Sequence, residues 1–234
     1  MSEILKISGL WGGYKEGVDI LRGIDMTIQE GEAVGIIGLN GSGKSTLGKA
    51  IMNMIPIRRG DILFNGESIM NLPTHELVHR GIAIMQQGGQ VFQNLSVWDN
   101  VDIAFGSCMN SYFEDIRDIL PILQKPRKEL MHKMADKLSG GQKHQLALAM
   151  ALASRPKLLI LDEPSAGLSP ISVEQMYNTL NLVRERTKVT IILIEQNVSK
   201  AVQSCERCIL LRQGLIIEGF RKCDINDIES IIFK

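Results

Sequence analysis

No run of apolar residues in this chain approaches the roughly 20 that cross a bilayer as a helix. Any role at a membrane therefore has to come through a partner, without direct insertion. The segment Met1-Ser2-Glu3-Ile4-Leu5-Lys6 has no apolar stretch of signal-peptide length, and the expected location is the cytoplasm. Excess charge is also missing. Lys plus Arg is 26 and Asp plus Glu is 26, so the net charge is zero and no general field draws the protein to nucleic acid or to an acidic membrane. Cysteine is limited to Cys108, Cys205, Cys208 and Cys223. Cys205 and Cys208 have C-x-x-C spacing, but no second pair completes a zinc site, and the reading is of small buried or half-buried thiols. Repeats, low-complexity segments and obvious linkers are absent as well. The 234 residues, 44% hydrophobic and 22% charged, allow one α/β domain or one domain with an inserted lobe.

What the chain does have is Gly38-Leu39-Asn40-Gly41-Ser42-Gly43-Lys44-Ser45-Thr46, which fits the phosphate-binding pattern G-x-x-x-x-G-K-[ST]. Ala33–Ile37 before it is an apolar run of the kind a buried strand makes. Leu47, Ala50, Ile51, Met54 and Ile55 then recur at helical spacing until Pro56. A strand that turns through glycines into a helix aims backbone N–H groups and a positive helix end at one point, which suits a polyphosphate. Gly38, Gly41 and Gly43 keep side chains out of that ring. Lys44 reaches the β- and γ-phosphates, and the Ser45 hydroxyl ligates Mg²⁺.

The rest of the chain supplies further candidates. Residues 3–30 read as β-rich, and Tyr14 among them is either ordinary packing or a face for an adenine ring. His75-Glu76-Leu77-Val78-His79 matches H-E-x-x-H, but no clear third ligand is offered; the preferred reading is a solvated connector helix with Leu77 and Val78 facing inward. A strand at Ile82–Met85 is followed by Gln87, an amide placed to meet a metal ion or water at the sheet's carboxyl edge. Residues 93–137 are helical in pattern, with Phe113, Ile116, Leu120 and Leu123 on one stripe broken by Pro121 and Pro126, and read as an inserted helical lobe. Leu138-Ser139-Gly140-Gly141-Gln142 opens a long helix, and its serine and glycines form a second anion-binding helix start. One triphosphate has little use for two such sites in one chain, so the second is expected to serve a nucleotide held by another copy. Pro156–Glu163 is a buried strand ending in Asp162 and Glu163. Their side chains are expected to point different ways, one to the Mg²⁺ shell and one to the attacking water. A helix around 171–185 and a central strand Val189–Ile194 deliver Glu195-Gln196-Asn197. The two-strand theme Ile209–Leu211 and Leu215–Ile217 then leads to an amphipathic stretch near Ile225–Phe233.

Together these motifs make the chain resemble the ATP-binding subunits of ABC transporters over essentially its whole length. Gly38–Thr46 matches the Walker A motif, Gln87 the Q-loop, Leu138–Gln142 the LSGGQ signature and Leu158–Asp162 Walker B, followed by Glu163 in the place of the catalytic glutamate. Ala166–Ser169 matches the D-loop, and Tyr14 the aromatic that stacks on adenine. Residues 88–97, Pro164–Pro170 and Ile194–Val198 look like the branched-chain (hydrophobic) amino acid uptake branch. Some positions depart from the common pattern. Gln196 stands where a switch histidine is usual, Ser169 replaces the D-loop Asp, Gln145 an Arg after the signature, and Gln86 a Pro. Gln196 can hydrogen-bond a γ-phosphate but cannot shuttle a proton as an imidazole does, which shifts water activation towards Glu163.

The resemblance implies an α/β P-loop NTPase core of ABC type with an antiparallel β subdomain, carried by 1–92 and 138–234, and an inserted helical subdomain at 93–137. It implies an ATPase that drives membrane transport, with ATP and Mg²⁺ as ligands. Ser45, Gln87 and Asp162 would order the metal, and Glu163, Gln196, Lys44 and Gln87 would carry catalysis. The nucleotide would lie between one copy's Tyr14 and Gly38–Thr46, Asn40 and Ser42 included, and a second copy's Ser139, Gly140, Gly141 and Gln142. Transmembrane permease subunits and a second ATP-binding subunit are the expected partners, at the cytoplasmic face of the cell membrane, with no nucleic acid. The alternative classes are a non-transport assembly ATPase and a regulatory ATP-binding half of a heterodimer.

Overall fold

The fold comes from a computed structural model, which describes residues 2–106, 111–124 and 128–221. Cys108, Pro126, Cys223 and the stretch Ile225–Phe233 lie outside them. Two long strands, β1 (Glu3–Gly13) and β2 (Leu21–Gln29), are followed by β3 (Ala33–Ile37) and helix α1 (Lys44–Ile51). Next come β4 (Ile57–Phe64), β5 (Glu67–Ser68), α2 (Thr74–Arg80) and β6 (Ile82–Met85). Helices α3 (Val97–Phe105), α4 (Ser111–Arg117) and α5 (Lys128–Met131) precede α6 (Gly140–Leu152). The chain then alternates: β7 (Leu158–Asp162), α7 (Pro170–Thr187), β8 (Thr190–Glu195), α8 (Val198–Ser204), and a hairpin of β9 (Arg207–Arg212) and β10 (Leu215–Arg221).

Two sheets result. One is antiparallel, in the order β2-β1-β4-β5. The other runs β10-β9-β3-β8-β7-β6, with β9, β3, β8, β7 and β6 parallel and β10 an antiparallel edge. Every residue of β3, β7 and β8 is buried, which is why their sequences read as unbroken apolar runs rather than alternations. Side-chain alternation then splits each strand between two cores. Ala33, Leu159, Leu161, Ile191 and Leu193 face a core shared with α3, α6, α7 and α8. Val34, Ile36, Leu158, Ile160, Ile192 and Ile194 face one shared with α1 and the antiparallel sheet. Gly48 lets α1 lie on this sheet, because a Cβ there would come within 2.9 Å of Ile194 Cδ1.

Two elements, α1 and the stripe through α4, differ from expectation. Helix α1 ends at Ile51 rather than running to Pro56, because Asn53 takes a left-handed conformation (φ 55) and its amide ties down the Ile69 and Leu72 carbonyls. Phe113, Ile116, Leu120 and Leu123 are all buried, but the last two lie on turns beyond α4, so the stripe is not one helix. In α2, Leu77 is buried and Val78 half-buried, with His75 and His79 exposed. Cys205 and Cys208 are buried beside Gly35, and burial pushes the Cys205 thiol well above its usual range. Among the described residues no helix is long and apolar enough to cross a membrane.

Candidate active site

Parallel register brings the functional segments to one edge. Ile37 pairs with Glu195, Asp162 with Ile194, and Met85 with Leu161. The turns after β3, β6, β7 and β8 therefore leave the sheet side by side at its carboxyl end, where α/β folds hold ligands. These turns carry the phosphate loop, Gln87, Glu163 and Gln196.

In the phosphate loop, Gly38 is required by close approach: a Cβ would lie 2.2 Å from the Leu211 carbonyl oxygen. Gly43, with φ 106, is the N-cap of α1. That helix start has no side-chain cap and no acidic residue in its first turn, so its N–H groups stay available to an anion. The Ser42 hydroxyl is buried and has no hydrogen-bond partner among the described residues, which is a second mark of a cradle built for a polar ligand. Asn40 and Gly41 are exposed at the loop tip, and Thr46 is buried at its base. The Lys44 ammonium is buried, donates to the Gly38 and Leu39 carbonyls at 2.8 and 3.1 Å, and lies 4.0 Å from Glu163 Oε1. Burial lowers its pKa, opposed by Glu163, Asp162 and Glu195.

Ser45 Oγ donates to Asp162 Oδ1 at 2.8 Å. Burial raises the Asp162 carboxyl pKa, with the Ser45 bond acting against it. A hydroxyl and a carboxylate beside a phosphate loop are hard oxygen donors of the kind Mg²⁺ takes, with phosphates and water completing its shell. Glu163 stands one residue past β7 with φ 49, so a left-handed turn, not strand alternation, sets its direction. Two amides hold its carboxylate: Gln87 Nε2 donates to Oε2 and Gln196 Nε2 to Oε1, both at 2.7 Å. Thus Gln87, Gln196, Lys44 and Glu163 are brought together, and the hydrogen bond of Gln87 runs to Glu163 rather than to the Ser45–Asp162 pair.

Other candidates lie apart. Ser139 caps α6 through a reciprocal pair: its Oγ accepts the Gln142 N–H, and its N–H donates to Gln142 Oε1. Gly140 and Gly141 face Leu168 and Ser172, so a Cβ at Gly141 would sit 2.9 Å from Ser172 Oγ. Among the described residues no hydrogen bond or ion pair joins 139–142 to the phosphate loop. Tyr14 is exposed just beyond β1, on the turn that leads to Ile20 and Leu21, whose side chains border Gly43.

Sequence reasoning missed two supports. Gly214 N–H donates to the Ser42 carbonyl and its own carbonyl accepts from Arg22, so the β9–β10 turn props the phosphate loop. Glu195 is buried and bonded to Ser165 and Tyr177. An acid at the end of an apolar strand was the available signal, since a buried carboxylate demands donors.

Known proteins place this arrangement. The family described as "ABC transporter" matches residues 21–166. The high-affinity branched-chain amino acid transport ATP-binding protein BraG of Pseudomonas aeruginosa is 35% identical over 210 residues, 87% of either chain. The probable branched-chain amino acid transport ATP-binding protein LivF of Archaeoglobus fulgidus is 36% identical over 91% of this chain and 90% of its own. The lipopolysaccharide export system ATP-binding protein LptB of Escherichia coli is 32% identical over 91% of this chain and 88% of its own. Among solved structures, an ATP-binding cassette of an ABC transporter in its ADP conformation superposes with a TM-score of 0.82 at 25% identity, over 100% of this chain and 96% of the other. Its antiparallel and parallel sheets and helices are those of the ABC-type P-loop NTPase fold, and the chain belongs to the ABC transporter family as one of its ATP-binding, ATP-hydrolysing subunits.

Proposed function

We propose that this subunit powers uptake of branched-chain or other hydrophobic amino acids, from the cytoplasmic face of the cell membrane. The observation that carries the catalytic part is the convergence of Gln87, Gln196 and Lys44 on the Glu163 carboxylate, directly beside the phosphate loop. Glu163 positions the attacking water and takes its proton. Its two amide bonds fix the carboxylate in place, which suits a reaction that needs alignment and charge compensation more than covalent help. Lys44 and the loop N–H groups bind the phosphates, and Tyr14 stacks on the adenine. Ser45 and Asp162, with Gln87, would hold Mg²⁺, which supplies positive charge against the phosphate oxygens. Ser139–Gln142 of a second copy complete the nucleotide site from the far side, because within one chain they are turned to α7.

Residues 93–137 act as an inserted helical subdomain. Beside it runs a groove of about 400 Å³, lined by Met52, Met54, Val78, Met85, Ala104 and Met150 and flanked by Gln86 and Gln90. A helix of the membrane permease suits it: the walls are apolar and methionine-rich, and Gln86 adjoins Gln87. Motion of that helix would reach Glu163 through the Gln87 bond.

The cargo rests on BraG and LivF together with the Gly88–Val97 and Ile194–Val198 motifs. LptB, at 32% identity, supports a second reading, lipopolysaccharide export. Proteoliposomes holding this subunit with its co-purified membrane partners separate the two. ATP-dependent accumulation of radiolabelled leucine is the expected result. Leucine indifference with ATPase stimulated by lipopolysaccharide would reject the uptake reading.

A further inference from the structure

A second carboxylate lies buried beside Glu163 with no part so far in binding or hydrolysis. Glu195 is the last residue of β8 and is 2% exposed. Its Oε1 accepts from Ser165 Oγ and from the Tyr177 phenol, each at 2.7 Å. Its Oε2 accepts from the Gln196 N–H at 3.2 Å, with the Asn197 N–H at 3.5 Å. These partners flank Glu163 on both sides. Ser165 lies two residues beyond it on the loop to α7. The Gln196 side chain donates to Glu163 itself. The Glu163 N–H is bonded to the Ile194 carbonyl, immediately before Glu195. Tyr177 anchors the cluster to the middle of α7, where burial and the neighbouring Glu195 push its phenol far up, so it stays protonated and donating. A buried carboxyl is costly unless donors surround it, and here the donors are drawn from the two segments that define where Glu163 sits.

We propose that Glu195 is a positioning residue for ATP hydrolysis. By gripping the Gln196 backbone with one oxygen and the Ser165–Tyr177 pair with the other, it holds the turns after β8 and β7 at the spacing that lets Glu163 keep its Gln196 bond. This rests on the reading of Glu163 as the group that positions water. Glu195 acts through Gln196 and Ser165.

The test compares Glu195→Gln in the wild-type and Gln196→Ala backgrounds, using the subunit with its membrane partners. Glutamine keeps the length of the side chain and one oxygen. Its single oxygen can serve one side only: turned to the Gln196 N–H, it leaves the amide nitrogen against the Ser165 and Tyr177 hydroxyls, which lose their shared acceptor. The expected result is a fall of about tenfold in kcat with the KM for MgATP moved less than about twofold. In the Gln196→Ala background the same change should cost less than about twofold, since its route to Glu163 is already cut. An acid that merely filled the core would lower stability and reduce activity by the same factor in both backgrounds, and that result overturns the inference while leaving the role of Glu163 intact. Gln196→Ala at wild-type turnover would overturn the switch reading and this inference with it. Should Glu195→Gln not fold, Tyr177→Phe supplies the same comparison, with about a threefold fall expected in the wild-type background alone; no fall there, or an equal fall in both backgrounds, counts against the proposal.

Discussion

Glu163 occupies a conformation that a side-chain-bearing residue seldom adopts, and two amides and a lysine surround it. Glu163→Gln keeps the shape but cannot take a proton. Turnover should drop by at least about a hundredfold with ATP binding retained, as measured by phosphate release and by nucleotide titration. Full turnover would remove Glu163 from the mechanism. Lys44 yields a pH prediction. Its pKa is lowered from 10.5 by burial, so nucleotide affinity should fall as pH rises, with the fall beginning before 10.5 is reached, as a titration of ATP binding will show. The same depression makes stability rise as pH climbs through the window, because the unfolded chain then keeps a proton that the folded one has released. At this scale the phosphate loop was legible because its residues are consecutive and each has a local reason. The Glu195 cluster was not, because its partners stand 18 and 30 positions away and meet through strand order alone.

Among elements, the buried parallel strands were easy to read, since a strand covered on both faces must be apolar throughout. Their order in the sheet was not, because side-chain patterns say which faces are covered and nothing of which neighbour covers an edge. Helix α1 ended early for a reason residing in Asn53 and its tertiary carbonyl partners, which periodicity does not register. The loop after β6 shows how tightly elements constrain one another. Gly89 has φ 61, and a Cβ there would lie 3.1 Å from the His144 backbone in the first turns of α6. Gly89→Ala should cost at least about 1 kcal/mol in thermal or chemical unfolding. It should also slow hydrolysis more than it weakens ATP binding, because Gln87 is two residues away. A variant as stable and active as wild type would show that this loop tolerates displacement. In the core below, Ile160→Ala removes a fully buried side chain under α1 and should cost roughly 2–5 kcal/mol by the same unfolding measurement.

Seen whole, the molecule holds its phosphate loop and its Ser139–Gln142 turn at separate places, with no bond between them among the described residues. Under the proposed function, a triphosphate bound to one chain would meet a complete set of donors only when a second chain closed over it, and that difference in affinity would drive closure. Under the same proposal, a permease helix seated in the apolar groove at Met52, Met85 and Met150 would carry the motion to the membrane. Both segments were legible in the sequence as motifs; what the fold adds is where the second is turned, with the first turn of α6 packed against Leu168 and Ser172. The most direct test is Ser139→Phe, at an exposed position, in the subunit purified with its membrane partners. Loss of the helix cap should cost about 1 kcal/mol of stability. ATP affinity of the isolated chain should change less than about threefold, and turnover of the assembly should fall by at least about a hundredfold. Undiminished hydrolysis with Phe at position 139 would contradict a site completed by a second copy.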